Sequence, residues 1–431
     1  MGVTEISSVE KRVRALHTVG VVCGLAAGAW LGTAEAPVKL ASGQMPPFIV
    51  TLGMVLGVFM ARWTIPVMLK GAGFVLRDLR QNAHLIVWAL IAGTLWVVAN
   101  TLTVYAIKNV GLSIAFPLWN TNCLIGLFWG WLFFNELKGS GWKGWTQVFG
   151  GSLALVVGAT ILAWATSGHA ASTGANPKLG IAAALGAGVL WGTQYIPYRK
   201  AYISGITPLS FVTVIAFGEL ISTIVLSVVF AGSFHNLGHQ VASAKPYLFW
   251  LFLGGFCWVF GDLFQQYAAK YIGIGRGIPL SNTNQLWGLA WGALVFGEFA
   301  AIDTHARMLV LLGSLVMILG AAFIGTAAAP ASERTSWSDA VDRECNRYGL
   351  DNAHVVSMLK GDDPGATKSN PHRWWEWLFP ICSLTVMAWL ATLLQKPKVE
   401  LNFVWIAVLL TITGCSLFLS GMLLWKRTRF S

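Results

Sequence analysis

Apolar runs of about 20 residues alternate with short polar segments along the chain, and ~20 residues is what a helix needs to cross a bilayer core. Twelve such runs are centred near Ala27, Val58, Gly93, Leu124, Val156, Leu185, Thr223, Cys257, Leu286, Gly313, Val386 and Leu410. Within lipid every backbone amide must be satisfied by its own segment, so the runs predict helices rather than open strands. The expected fold class is an all-α membrane protein with twelve transmembrane helices.

The pattern also repeats. Residues 96–136 align without a gap on 258–298, and 19 of the 41 positions are identical. The matches include Trp96 with Trp258, Tyr105 with Tyr267, Lys108 with Lys270, Pro117 with Pro279 and Glu136 with Glu298. Asn120-Thr121-Asn122 recurs whole as Asn282-Thr283-Asn284. Shared apolar composition cannot place Pro, Lys, Asn and Glu in one register. Upstream, Gly32-Thr33 and Pro37 match Gly192-Thr193 and Pro197. The first run therefore belongs to a repeat, although Lys11-Arg12-Val13-Arg14 before an apolar stretch imitates a signal peptide. Five helices separate equivalent positions, an odd number, so the second copy is expected upside down. Inverted repeats are the architecture of alternating-access carriers, with substrate held near the midplane.

The expected organisation is an N-terminus (1–17), a first five-helix repeat (18–166) and a second, inverted repeat (178–328). A polar loop (332–373), an appended two-helix hairpin (374–425) and a tail (426–431) follow. The loop carries six basic and seven acidic residues, few large apolar ones and no helical periodicity.

Composition agrees with the pattern: of 431 residues 55% are hydrophobic and 11% charged, against about a quarter charged in a soluble domain. A net charge of +11 raises the question of a nucleic-acid partner. Its distribution gives another account. With the N-terminus inside, 21 basic residues fall on the inner face and seven on the outer. This bias predicts cytoplasmic termini, and a plasma (inner) membrane is the expected location. The six cysteines have neither a disulfide framework nor metal-ligand spacing. No cofactor motif is present.

Polar groups inside apolar runs mark cavities or partners. Asp262 lies about 15 residues into its helix, near mid-depth at ~1.5 Å per residue. Its repeat partner is Asn100, so one half has a titratable group that the other lacks. A buried hydrogen bond to Asn282 or Asn284 is the structural alternative. The amides of Asn120, Asn122, Asn282 and Asn284 follow kink-forming prolines and offer both donors and acceptors, as a polyhydroxyl ligand requires. They serve either that ligand or the repair of the kink. Trp96 and Trp258 sit one turn before Asn100 and Asp262, on the same face, where a flat ring suits a pyranose. Glu35 is expected in an outer vestibule, Glu219 on a helix packed peripherally, and Arg62 snorkelling to the cytoplasmic interface.

These motifs resemble the glucose/ribose porter family of the drug/metabolite transporter superfamily. The resembling stretches are Gly188-Val-Leu-Trp-Gly-Thr193, Tyr195-Ile-Pro-Tyr-Arg-Lys200, Trp258-Val-Phe-Gly-Asp-Leu-Phe264 and both Pro-Leu-x-Asn-Thr-Asn copies. The resemblance covers about residues 18–328. It implies a ten-helix core whose helices 1, 3, 4, 6, 8 and 9 surround a central cavity. It also implies sugar uptake driven by a proton or sodium gradient, for which Asp262, Glu35 and Glu219 are the coupling candidates. Related families carry ureides, nucleotide sugars or drugs. The loop and last two helices exceed the usual ten-helix length. The chain has no Walker A loop, His-Glu-x-x-His motif or nucleophile elbow, so an enzyme or ATP-driven pump is not expected. A non-transporting receptor or scaffold is the other class, with the 332–373 loop as its effector surface.

Overall fold

The computed structural model describes residues 3–42, 45–110, 115, 118–166, 176–297, 303–362, 372–395 and 400–431. Pro117 and Glu298, singled out in the repeat, lie outside them. All regular structure among the described residues is helical. The helices are α1 (Val3–Ser42), α2 (Pro47–Lys70), α3 (Ala72–Gln81), α4 (Ile86–Val110), α5 (Asn122–Phe134), α6 (Gly141–Thr166) and α7 (Pro177–Ile203). Then come α8 (Pro208–Ala231), α9 (Phe234–Ala244), α10 (Leu248–Ile272), α11 (Ile274–Ser281), α12 (Asn284–Ala290) and α13 (Thr304–Thr326). The chain closes with α14 (Ala331–Tyr348), α15 (Asn352–Leu359), α16 (Leu378–Thr392) and α17 (Phe403–Thr428).

Nine helices among the described residues are long and apolar enough to cross a membrane. Three of the twelve apolar runs are built differently. The run near Leu124 is interrupted by a turn at Asn120-Thr121 and continues as a 13-residue helix from Asn122. The run near Leu286 breaks at Asn282-Thr283 into α11 and α12 and then loosens into a π-turn over Trp291–Val295. The run near Val386 gives a helix of 15 residues. Both breaks coincide with an Asn-Thr-Asn triplet, whose side chains compete for backbone groups that a continuous helix would use.

The helices pair across the two halves of the chain. α1 packs on α10 as α4 packs on α7; α2 lies on α10 as α4 lies on α8; α2 meets α8 and α6 meets α13. α5 lies against α7, while α11 and α12 lie against α1. Glycines permit the closest crossings, the usual device where lipid gives no hydrophobic drive to associate. A Cβ on Gly57 would sit 2.0 Å from the Phe252 carbonyl oxygen, and one on Gly218 would sit 2.5 Å from that of Leu90. Outside this bundle α16 rides on α2 and α17 on α1.

One end of the bundle is sealed. Ala201–Ala216 and Gly261–Thr283 are buried without a break, whereas a helix at the bundle surface leaves one face uncovered. Toward the other end Glu35, Trp191, Trp258, Asn284 and Gln285 keep accessible surface.

The 332–373 stretch is a correction to the sequence reading. It contains an 18-residue helix, α14, and a shorter one, α15, packed under the sealed end. The inward positions of α14 are Glu333, Ala340, Val341, Glu344 and Cys345, a clean helical period. Two of them are acids, so a search for apolar periodicity passes over the helix.

The crossings predict where bulk is tolerated. Gly57→Leu must push α2 from α10, and overpacking of this kind costs about 1–3 kcal/mol. A Cβ on Gly150 meets nothing within 4 Å, and the position is exposed. Thermal unfolding of the purified variants should show a clear loss for Gly57→Leu and wild-type behaviour for Gly150→Leu.

Candidate functional site

Arg62 of α2 is fully buried, and it faces two acids from the other half of the chain. Its Nη2 donates to Asp262 Oδ2 of α10 at 2.8 Å. Its Nη1 lies 3.0 Å from Glu219 Oε2 of α8 without hydrogen-bond alignment, so that contact is electrostatic. Both acids are also fully buried. The Arg62 guanidinium stands 5.6 Å from the Trp258 ring centre, a distance at which a cation is drawn to an aromatic face. The expectations of a snorkelling Arg62 and a peripheral Glu219 are therefore overturned. A buried guanidinium is favoured only where carboxylates meet it, and the crossing of α2, α8 and α10 supplies two.

A polar ladder continues from the triad into the sealed end. Gln266 Nε2 donates to Asp262 Oδ2 at 2.8 Å, and the Tyr202 hydroxyl donates to Gln266 Oε1. Gln194 Nε2 donates to the Tyr198 hydroxyl at 2.5 Å. Tyr195, Tyr198 and Tyr202 are all buried on α7. Tyr195, the repeat equivalent of Glu35, is expected from sequence to line an inner vestibule and is buried instead; Gln266, Tyr198 and Tyr202 carry no such expectation. Their spacing was a usable signal, because Gln266 is one turn from Asp262 and the tyrosines recur every three or four residues.

Beyond the triad, the predicted residues come together in two pairs. Trp96 and Trp258 meet edge to face, 5.2 Å between ring centres, with Val55, Trp191, Leu220 and Leu226 around them. Asn282 Nδ2 lies 3.4 Å from Asn122 Oδ1, bridging α5 and the α11–α12 break. Asn100 does not meet Asp262; it donates to Thr51 Oγ1 of α2 at 2.9 Å. Asp262 likewise has Arg62 and Gln266 as its partners among the described residues, not Asn282 or Asn284. Asn120 is buried beside the break, and Asn284 Oδ1 finds no donor among the described residues. Glu35 is accessible and sits by Gly288 of α12, apart from the triad.

Two more tryptophans anchor the breaks. Trp129 Nε1 donates to Thr193 Oγ1 at 3.2 Å, and Trp291 Nε1 donates to Thr33 Oγ1 at 3.1 Å. Among the described residues no cluster of three His, Cys, Asp or Glu could hold a metal. A groove of about 540 Å³ between α2 and α16 is lined by apolar side chains such as Phe59, Trp63 and Phe379, and contributes nothing to this polar centre.

Three similarities to known proteins bear on the chain. A family profile described as "Sugar transport protein" matches residues 184–342. A Lactobacillus johnsonii protein named "Putative sugar uptake protein" is 30% identical over 105 residues, 24% of this chain and 36% of that one. The chain thus spans about a third of the length of that curated relative. A solved structure titled "Crystal structure of protein" superposes with a TM-score of 0.48 at 16% identity, over 70% of this chain and 97% of the other.

The triad yields a stability test. Arg62→Ala leaves the buried Asp262 carboxylate without its counter-ion, and removing one partner of a buried pair costs about 3–5 kcal/mol. The triple replacement Arg62→Met, Glu219→Gln, Asp262→Asn removes every charge and should unfold at a markedly higher temperature than Arg62→Ala.

Proposed function

We propose that the chain is a secondary transporter of sugar that works by alternating access between two inverted five-helix repeats. The observation that carries the reading is the buried Arg62–Glu219–Asp262 cluster, set where helices of the two halves cross. The family profile and the sugar uptake relative supply the substrate class.

Paired contacts support the inverted layout. The Trp129–Thr193 bond is matched by Trp291–Thr33. Gly192 meets Asn122 and Ile125 where Gly32 meets Asn284 and Trp287, the same repeat positions in exchanged halves. Gly151 faces Gly320 and Gly158 faces Gly313 in the same exchanged sense. Such reciprocity is what a twofold axis in the membrane plane produces. The ten-helix core then carries α16 and α17 as two added helices seated separately on α2 and α1, rather than as the expected hairpin. The excess of basic residues at the sealed end makes that end cytoplasmic, and the cavity in this state faces outward.

One arginine against two carboxylates leaves a surplus negative charge in a water-free setting, where an uncompensated ion is costly. A single bound proton cancels it. Asp262 accepts hydrogen bonds from Arg62 and Gln266, whereas Glu219 has only the unaligned contact. The proton therefore belongs on Glu219. Asp262 is the fixed counter-ion of Arg62. A sodium ion fits poorly, because both acids already face a guanidinium.

Either single neutralisation, Glu219→Gln or Asp262→Asn, leaves one acid against one arginine and no proton to carry. Each variant should retain sugar exchange in proteoliposomes and lose gradient-driven accumulation. Undiminished accumulation in both would remove the cluster from coupling.

The sugar is placed against the Trp96–Trp258 pair, with Asn100, Asn120, Asn122, Asn282 and Asn284 exchanging hydrogen bonds with its hydroxyls. The long Asn122–Asn282 contact is one that a ligand can replace at little cost. Losing a buried partner costs about 1–3 kcal/mol, roughly a five- to 150-fold weaker affinity. Asn282→Ala should raise the half-saturation concentration within that range, and Trp258→Phe should do less harm than Trp258→Ala. Normal sugar affinity in both alanine variants would place the substrate elsewhere.

A further inference from the structure

The sealed end is not closed by the spanning helices alone. α14 and α15 lie across it, and their buried side chains hold elements from both halves of the bundle. Glu333 at the start of α14 takes a two-point contact from Arg276 of α11, at 2.7 and 2.8 Å. The same carboxylate accepts the Leu137 amide at 2.9 Å, just beyond α5. Glu344, near the other end of α14, receives the Lys200 ammonium and the Ser204 hydroxyl at the end of α7. Lys200 also stands 5.1 Å from the Trp88 ring of α4 and 4.7 Å from that of Tyr348 on α14. Between these anchors Trp337 lies over the Arg199 guanidinium at 5.1 Å.

Beneath α14 is a second layer of ties. Glu136 pairs with Arg199 at 3.1 Å and accepts the amides of Ile274 and Gly275 at 3.0 and 2.8 Å. Gly273 has φ +85, and a Cβ there would sit 2.7 Å from the Glu136 carboxyl carbon. Glycine is therefore the residue that lets the carboxylate close over the start of α11. On α15, Val355 is buried against Gly205 of the α7–α8 turn. Past α15, Asp362 pairs with Arg12 of α1 at 2.5 Å.

We propose that residues 331–362 form a releasable latch on the cytoplasmic gate, engaged in this state and withdrawn each time the cavity opens inward. The inference rests on the alternating-access reading above. An element tied at once to α5, α7, α11 and α1 cannot keep all its anchors when those helices separate. The ties of Glu333 to Arg276 and of Glu344 to Lys200 are charge-assisted and buried, so they are strong while engaged and are lost together rather than gradually. The latch thereby biases the resting protein toward the outward-facing state.

A disulfide can hold the latch shut. Gly205→Cys and Val355→Cys place their Cβ atoms about 3.8 Å apart, within the span a disulfide bridges. Gly205 has φ +92, so the double variant carries some backbone strain; its reduced form is the control for folding. Uptake of a radiolabelled sugar panel by proteoliposomes is measured for wild type, the reduced variant and the oxidised variant. Oxidation should cut uptake at least tenfold, and reduction should restore it. Uptake at the reduced rate by the fully oxidised protein would overturn the latch alone. No uptake of any sugar by wild type would overturn the transport reading and the latch with it.

A second readout needs no transport. Cys345 is buried on the inner face of α14, so it reports release. Glu333→Gln weakens the tie to Arg276 without touching Cys345 and should speed maleimide modification of that thiol at least tenfold, followed by mass spectrometry. An unchanged labelling rate would mean that Glu333 does not hold the latch.

Discussion

The structure depends on placing one guanidinium, Arg62, where water cannot reach it. An arginine cannot shed its proton to escape burial, so the surroundings must supply negative charge, and they do so from α8 and α10. Those helices must then cross α2 at a fixed depth, and glycines at the crossings allow the approach. Packing and charge impose the same geometry: the backbones come close, and the buried ions come into register.

From this centre the protein is asymmetric. Toward one end tyrosines, glutamine and ion pairs fill the space between helices, and α14 and α15 cover them. Toward the other end Trp191, Trp258, Asn284 and Gln285 retain accessible surface. A repeat architecture alone would give two similar ends. The asymmetry arises where the halves differ: Asp262 opposite Asn100, and the additional cover of residues 331–362.

Much of this was legible in the sequence. Asp262, the acid most conspicuous in an apolar run, is in the buried centre, and Trp96 with Trp258 and Asn122 with Asn282 meet, whereas Glu219, expected on a peripheral helix, is buried beside it. The repeat placed these pairs at matching depths, and depth is what a linear sequence gives for a spanning helix. The sequence could not say which faces meet. Arg62 was assigned to the interface because depth along α2 allowed it to snorkel, and nothing in α2 reveals that α8 and α10 bring acids to it. Glu333 and Glu344 were hidden for another reason: acids on the inward face of α14 erase the apolar stripe by which a packed helix is recognised.

Sugar-driven proton movement is the most direct measurement. Proteoliposomes holding a pH-sensitive dye, with no initial pH gradient, are given an inward sugar gradient while a potassium ionophore clamps the membrane potential. The lumen should acidify with a dependence on sugar concentration that matches uptake. Sugar entry without any acidification would contradict a proton-carrying cluster at Arg62, Glu219 and Asp262.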